Sequence, residues 1–333
     1  MSSQAHTSTQ AHISTEDRSS EDTRSAGARS TGSRSASARS AGSRSRGART
    51  SAEWGARTPA PTGPAAVEVL IPTCDRPTEL AVTLSGLAAQ MDADFAVIIS
   101  DQSREPVEPR TGVAPMITLL QAQGRRVTVD RNLPKRGMAQ QRQHLLDLSS
   151  ADFVLYLDDD VWLEPGTITR MLSTLQTQRC GFIGSAVQGL SYLDDRRPEE
   201  WREFAEWQGP VAPESLSQSA EELERWKLHN AANLCHIAAD RSYSTADPGV
   251  YHVAWVGGCV LFDRHKLIDA GGFEFWNELP DTHVGEDVYC QWQVMRRHGG
   301  AGIIPSSAVH LESPTTLTQR DHEVVEVLEP EPA

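Results

Sequence analysis

The sequence has no CxxC pair, no apolar run long enough to cross a bilayer, and no apolar core behind its N-terminal charges. Each absence excludes something. Five widely spaced cysteines (Cys74, Cys180, Cys235, Cys259, Cys290) give neither a disulfide framework nor a zinc knuckle and fit a reducing cytosol. Without a run of about 20 apolar residues the chain predicts no membrane span, and without an apolar segment behind the first charges it predicts no secretory signal. The expected location is the cytoplasm, with the inner face of the membrane reached only through a partner or a weak surface contact. Hydrophobic residues make up 38% of the 333, low enough to predict that part of the chain does not pack. Charge is unevenly spread. Residues 1–66 hold nine Arg, no Lys and five acidic residues, so most of the formal charge of −14, and more, falls on the remainder. A body this acidic excludes a general nucleic-acid binder, whose phosphate contacts need a basic face.

What is present divides by texture. Residues 25–49 read SAGAR STGSR SASAR SAGSR SRGAR, a five-residue pattern ending each time in Arg. With almost nothing to bury, residues 1–66 predict a disordered Ser/Ala/Arg-rich tail. From Val67 short apolar strands alternate with helical spacing. VEVLIPT (67–73), FAVIISDQS (95–103), VTVDRN (127–132) and FVLYLDDDV (153–161) read as strands; 77–89, 137–148 and the stretch after Pro165 read as helices. This rhythm predicts an α/β fold with a mostly parallel sheet flanked by helices, and ligand sites at the strands' C-terminal ends. Tyr192 to Asp247 breaks the rhythm with Trp, Glu and Pro, and 220–239 reads as one amphipathic helix. A strand or hairpin follows at 251–264, a helix at 285–298 and an apolar run at 303–310, leaving 313–333 as a frayed acidic tail.

The chemistry concentrates where FVLYL meets Asp158, Asp159 and Asp160. Three adjacent carboxylates repel one another and cost stability unless a cation is near. Alternate residues of an extended chain share a face, so Asp158 and Asp160 point the same way. Such a pair, completed by diphosphate oxygens, suits Mg²⁺ or Mn²⁺. A solvated acidic turn is the competing reading.

On these residues the chain from Val67 to about Glu312 resembles GT-A fold glycosyltransferases, close to the family-two group of inverting enzymes. The resemblance implies a nucleotide-binding half (67–190), an acceptor-binding half (191–312) that forms a smaller subdomain, and a nucleotide-diphosphate sugar as donor, with uridine donors the commonest. The family's first strand ends in a Pro-Thr-x-x-Arg element that cradles nucleobase and ribose; here it is Pro72, Thr73, Cys74, Asp75, Arg76. Asp101 matches the aspartate that contacts the base. Asp158 and Asp160 match the Asp-x-Asp element. Asp158, with Asp159 beside it, then faces the ribose or donor sugar, and Asp160 holds the metal. Gly137 and Arg142 match a Gly-x₄-Arg-Asn element, with Gln143 in place of Asn, and put Arg142 near the donor phosphates or against the carboxylates.

The resemblance also assigns the C-terminal half. Gly285-Glu286-Asp287 opens a helix, where carboxylates are otherwise explained by capping. In the family this Asp is the general base, so Asp287 takes the acceptor proton and Glu286 orients the acceptor. His310 sits where some GT-A enzymes place a further metal ligand. Trp255, Gly257 and Gly258 correspond to the floor beneath donor sugar and acceptor, although paired glycines also make a bulge and a Trp there is as often core. Three other readings stay open: a sugar nucleotidyltransferase, although PTCDRP lacks the expected glycine; a dehalogenase-type hydrolase, although Trp162 stands where Thr or Val is expected; and a non-catalytic sugar-nucleotide or protein-interaction module. The acceptor is not specified by any of these residues.

Overall fold

The structure is a computed structural model that describes residues 47–55, 63–218, 220–315 and 321–328. Its strands are β1 (Val67–Thr73), β2 (Phe95–Asp101), β3 (Val127–Arg131), β4 (Phe153–Leu157), β5 (Val161–Leu163), β6 (Phe182–Gly184), β7 (Gly249–Tyr251), β8 (Cys259–Asp263), β9 (His283–Val284), β10 (Gly300–Ile304), β11 (Ala308–His310) and β12 (His322–Glu323). Its α-helices are α1 (Pro77–Ala88), α2 (Val113–Ala122), α3 (Gly137–Leu148), α4 (Thr167–Gln178), α5 (Asn233–Arg241), α6 (Arg264–Asp269), α7 (Glu286–His298) and α8 (Val324–Leu328).

Eight strands form one sheet in the order β3-β2-β1-β4-β8-β6-β10-β7. The β3-β2-β1-β4 half is parallel, and β10 is parallel to β6; β8 runs antiparallel to both β4 and β6, and β7 antiparallel to β10. All seven residues of β1 and of β2 are buried, because helices cover both faces of a parallel sheet and its strands read as unbroken apolar runs. Successive residues of β1 serve different layers. Val67, Val69 and Ile71 pack with Leu80, Leu84 and Leu87 of α1 and with Ile117 and Leu120 of α2. Leu70 joins the opposite core with Leu145 and Leu146 of α3, Tyr156, and Trp292 of α7. The fold is therefore the α/β arrangement expected from the strand–helix alternation. The order turns around at β1, which pairs β2 on one side and β4 on the other; a ligand crevice is expected beyond the C-terminal ends of those strands.

Several expectations need correction. The helix expected over 220–239 is broken into a 3₁₀ stretch, Glu221–His229, and α5. The break is built from side chains that compete with helical backbone bonds: Asn233 Nδ2 donates to Lys227 O (2.9 Å) and to Glu200 (2.7 Å), Asn230 Nδ2 also donates to Glu200 (3.2 Å), and Ala231 takes a left-handed φ of 49°. The strand or hairpin expected over 251–264 is instead two strands, β7 and β8, that pair with other strands and not with each other, and Gly258, at φ 76°, turns the chain before β8. Helix α2 arises in a segment to which no element was assigned from sequence. The tail expected over 313–333 is in part ordered, since β12 pairs with β9 and Val324 and Val325 are buried. At the other end, residues 1–46 and 56–62 of the expected disordered tail lie outside the described residues, and residues 47–55 are tied down: Ala48 N donates to Met91 O (2.8 Å) and Arg49 N to Gln123 O (2.9 Å). Among the described residues no helix is long and apolar enough to cross a membrane.

Candidate active site

The turn after β4 carries the acidic triplet and is fixed by backbone bonds on both sides. Asp158 N donates to Gly258 O (2.9 Å), and Leu311 N donates to Asp160 O (2.9 Å). The antiparallel pairing of β11 with β5 sets His310 opposite Val161, directly beside the triplet. The triplet opens into a cleft of about 340 Å³ at the ends of β1 and β4, closed on the far side by the N-termini of α3 and α7. Ten of the expected site residues line it: Pro72, Thr73, Arg76, Arg142, Asp158, Asp159, Asp160, Glu286, Asp287 and His310.

Within the cleft every carboxylate of the triplet has a cationic partner. Arg142 Nη2 donates to Asp158 Oδ1 (3.2 Å) and its Nε to Glu286 Oε1 (3.0 Å). Arg76 Nη1 donates to Asp159 Oδ1 (3.0 Å) and its Nη2 to Asp160 Oδ2 (2.7 Å). Thr73 Oγ1 donates to the other oxygen of Asp159 (2.7 Å), and His310 Nε2 lies 3.3 Å from Asp160 Oδ2. The repulsion read from three adjacent aspartates is thus answered first by the protein itself.

The electrostatics follow burial and pairing. Burial disfavours charge on Arg142, but Asp158, Glu286 and Asp287 outweigh it and raise its pKa further, so it stays charged. Burial also opposes charge on Asp160, yet His310 and Arg76 hold its carboxyl below the usual range. Asp159 is pushed up to about 7 by burial, against the pull of Thr73 and Arg76. Asp287 is raised chiefly by burial and next by the neighbouring Glu286 charge, with Arg142 opposing. A carboxylate raised in this way is suited to taking a proton near neutral pH. Asp287 lines both the main cleft and a small pocket behind it that also touches Arg142, Gly258 and Gln291.

The remaining expected residues lie elsewhere. Asp101 is fully buried and does not line the cleft: its carboxylate accepts from Ser103 N (2.8 Å), Val107 N (3.0 Å) and Arg131 Nη1 (2.6 Å). These bonds anchor the loop after β2. Asp75 is exposed at a left-handed φ of 57° and accepts from Arg104 N (2.9 Å), joining the loops after β1 and β2. Gly137 does not line the cleft; at φ 83°, a Cβ there would collide with the His283 ring, whose Nε2 accepts from Ala139 N (3.1 Å) at the start of α3. Trp255 and Gly257 do not line the cleft, and Gly258 borders only the small pocket behind it. A Cβ at Gly257 would meet open space, whereas one at Gly258 would stand 2.8 Å from Val187.

Sequence reasoning missed several lining residues. Met138 and Gln141 share a face of α3 with Arg142 at helical spacing, a signal that was present in GMAQQRQ. Gln141 Nε2 donates to Ser100 O (2.8 Å), pinning α3 to β2. Ser313 and Thr315 reach the cleft from the segment after β11, and no local pattern marks them. Two tryptophans of the 192–247 segment make contacts within it or with the strand that follows: Trp201 Nε1 donates to Asn233 Oδ1 (2.9 Å), and Trp207 stacks on His252 with ring centroids 3.8 Å apart.

Among the described residues no group of three or more His, Cys, Asp or Glu side chains is arranged to hold a metal ion. Asp160 with substrate oxygens still fits, since Mg²⁺ is commonly held by one or two carboxylates plus phosphates. His310 fits less directly. Its Nδ1 accepts from Glu312 N (3.1 Å), which leaves the neutral ring's proton on Nε2, facing Asp160; ligation through Nε2 requires that proton to move.

A sheet whose order turns around above an acid-and-arginine-lined crevice defines the class of α/β proteins whose ligand site lies beyond the strand ends. Within that class the chain belongs to glycosyl transferase family 2, whose model matches residues 68–239. The folded domain is thus a glycosyltransferase domain, which sets aside the nucleotidyltransferase and hydrolase readings. A curated relative, galactofuranosyltransferase GlfT2 of Mycolicibacterium smegmatis, is 33% identical over 130 residues, covering 37% of this chain and 19% of that protein; the match spans about a fifth of the relative's length. Among solved structures, a mannosyltransferase, PcManGT from Pyrobaculum calidifontis in complex with GDP-Man and Mn²⁺, is 15% identical with a TM-score of 0.49, covering 80% of this chain and 64% of that one. TarS 1-349 of S. aureus in complex with UDP-GlcNAc is 13% identical with a TM-score of 0.48, covering 75% and 60%.

Proposed function

We propose that this protein transfers a sugar from a nucleotide-diphosphate donor to an acceptor hydroxyl by a single displacement, with inversion at the anomeric carbon. The observation that carries this reading is that Asp287 and Asp160 line one cleft, Asp287 at the start of α7 and Asp160 in the acidic turn beside Arg76 and His310. Asp287 takes the acceptor proton as the new bond forms. Glu286, tied to Arg142, steadies the first turn of α7 and so the position of Asp287. Arg76 and Arg142 are the guanidinium groups available to the donor's phosphates. Pro72 and Thr73 shape the nucleotide end, and the loop anchored by Asp101 supports it. A divalent ion, Mn²⁺ or Mg²⁺, held at Asp160 would act as a Lewis acid toward the leaving diphosphate. A uridine-diphosphate sugar is the donor class we favour, with residues 67–190 supplying its site and 191–312 the acceptor side.

The test is release of nucleoside diphosphate from UDP- and GDP-sugars, with and without Mn²⁺ or Mg²⁺, across an acceptor panel, with the product anomer read by NMR. Turnover that needs an acceptor and gives the inverted anomer is the expected result. No release from any donor, or a product that retains configuration, overturns the reading.

A further inference from the structure

The guanidinium of Arg76 occupies the acidic turn. One of its nitrogens is bonded to Asp159 and another to Asp160, at 3.0 and 2.7 Å, and the second also donates to Pro314 O (3.3 Å). Side chains on all three sides are mostly shielded from water. Both are charge-assisted hydrogen bonds, the stronger kind, and the second uses the oxygen of Asp160 that also faces His310. Arg76 stands in the loop just before α1, on a long flexible side chain at the rim of the cleft. Both aspartates keep a partner if it swings away: Asp159 retains the Thr73 hydroxyl and Asp160 retains His310.

We infer that Arg76 is the resident cation of this cluster, that it competes with a divalent ion for Asp160, and that the ion site forms only when a diphosphate draws Arg76 off that carboxylate. This rests on the transfer reading above and adds an order of events: diphosphate and ion bind cooperatively because each removes an obstacle to the other. By linkage the two must raise each other's affinity by the same factor. The arrangement gives the empty enzyme little affinity for free divalent ions, although it carries three adjacent aspartates.

The test measures binding of Mn²⁺ alone by EPR, and of UDP and GDP with and without Mn²⁺ by calorimetry. It compares the wild type with Arg76→Met and with the double variant Arg76→Met/Asp159→Asn. The double variant removes the Arg76 charge together with the Asp159 carboxyl it pairs with, so the cluster's charge changes less than in Arg76→Met alone. The amide also avoids leaving an ionised Asp159 buried without its partner. With folding checked by circular dichroism and thermal unfolding, the double variant should bind Mn²⁺ alone about tenfold or more tighter than wild type. It should bind the nucleoside diphosphate alone about tenfold more weakly, the factor expected for one charge-assisted bond. The factor by which Mn²⁺ and diphosphate help each other should shrink. A merely structural Arg76 would only lower Mn²⁺ affinity, so unchanged or weaker binding in the folded double variant overturns the inference while the transfer reading stands. If neither protein takes up Mn²⁺ with UDP or GDP present, the ion assignment itself falls, and this inference with it.

Discussion

Arg142 Nε and Glu286 Oε1 form a 3.0 Å ion pair across 144 residues of chain, and the same guanidinium reaches Asp158 at 3.2 Å. One side chain on α3 thereby links the acidic turn after β4 to the helix that carries Asp287. Both members of the longer pair are almost completely buried, so the link is a structural commitment of the fold as well as part of the cleft.

Replacing Arg142 by Met leaves Glu286 buried without its counter-charge. We expect a loss of about 3–5 kcal/mol in denaturant unfolding, the usual cost of breaking a buried pair by removing one partner. Arg142→Lys should recover only part of it, since an ammonium cannot reproduce the fork that holds Asp158 and Glu286 together. A loss below about 1 kcal/mol for the Met variant would show the pair to be energetically idle.

Asp287→Asn should lower kcat by about 10²–10⁴-fold, the range for loss of a general base, while calorimetry shows donor binding retained. Full turnover in the variant would remove Asp287 from the mechanism.

The same residue has a signature in pH. Its pKa is raised in the folded protein, so the folded state binds more protons than the unfolded chain between the ordinary carboxylate value and the raised one. Stability contributed at this position is therefore present at low pH and lost as pH rises through that window. Asp287→Asn should raise Tm at neutral pH, by about 2–4 °C for each ~1 kcal/mol relieved, and lose the advantage below pH ~4. In the active enzyme the acid limb of the rate profile should lie above the usual carboxylate range. Glu286→Gln should move it to lower pH, because a neighbouring negative charge is removed.

Asp101 distinguishes a loop anchor from the expected base contact. Asp101→Asn keeps the size but weakens the bonds to Arg131 and to two loop amides, and should cost about 2–4 kcal/mol in unfolding free energy. Donor KM in the folded variant should change less than about threefold, whereas a direct base contact would raise it by about tenfold or more.

Gly137→Ala should destabilise the fold by about 1–3 kcal/mol, because the residue combines φ 83° with a Cβ position filled by the His283 ring. Gly257→Ala, with open space at its Cβ, is the control and should be close to neutral in thermal unfolding.

Much of the fold is legible in the sequence. The apolar runs of β1, β2 and β4 and the helical spacing of α1, α3, α4 and α7 are local signals, and each element falls within a few residues of its expectation. The break at 230–232 was not legible, because it depends on Glu200, some 30 residues away, receiving two asparagine side chains. The site divided in the same way. Residue type marked the acidic turn and the resemblance added the start of α7, and both line the cleft. Nothing local said that Asp101 turns inward to Arg131, or that Ser313 and Thr315 arrive from beyond β11.

By itself the sequence determined that strands and helices alternate, that three carboxylates end a buried strand, and that two more open a late helix. Periodicity and residue type act over a few residues and survive in any string of letters. Only the tertiary structure decided which cation neutralises which carboxylate: Arg76 to Asp159 and Asp160, and Arg142 to Asp158 and Glu286. Charge pairing depends on distance and burial in space, and those are set when β1, β4, α3 and α7 pack around one crevice, not by separation along the chain.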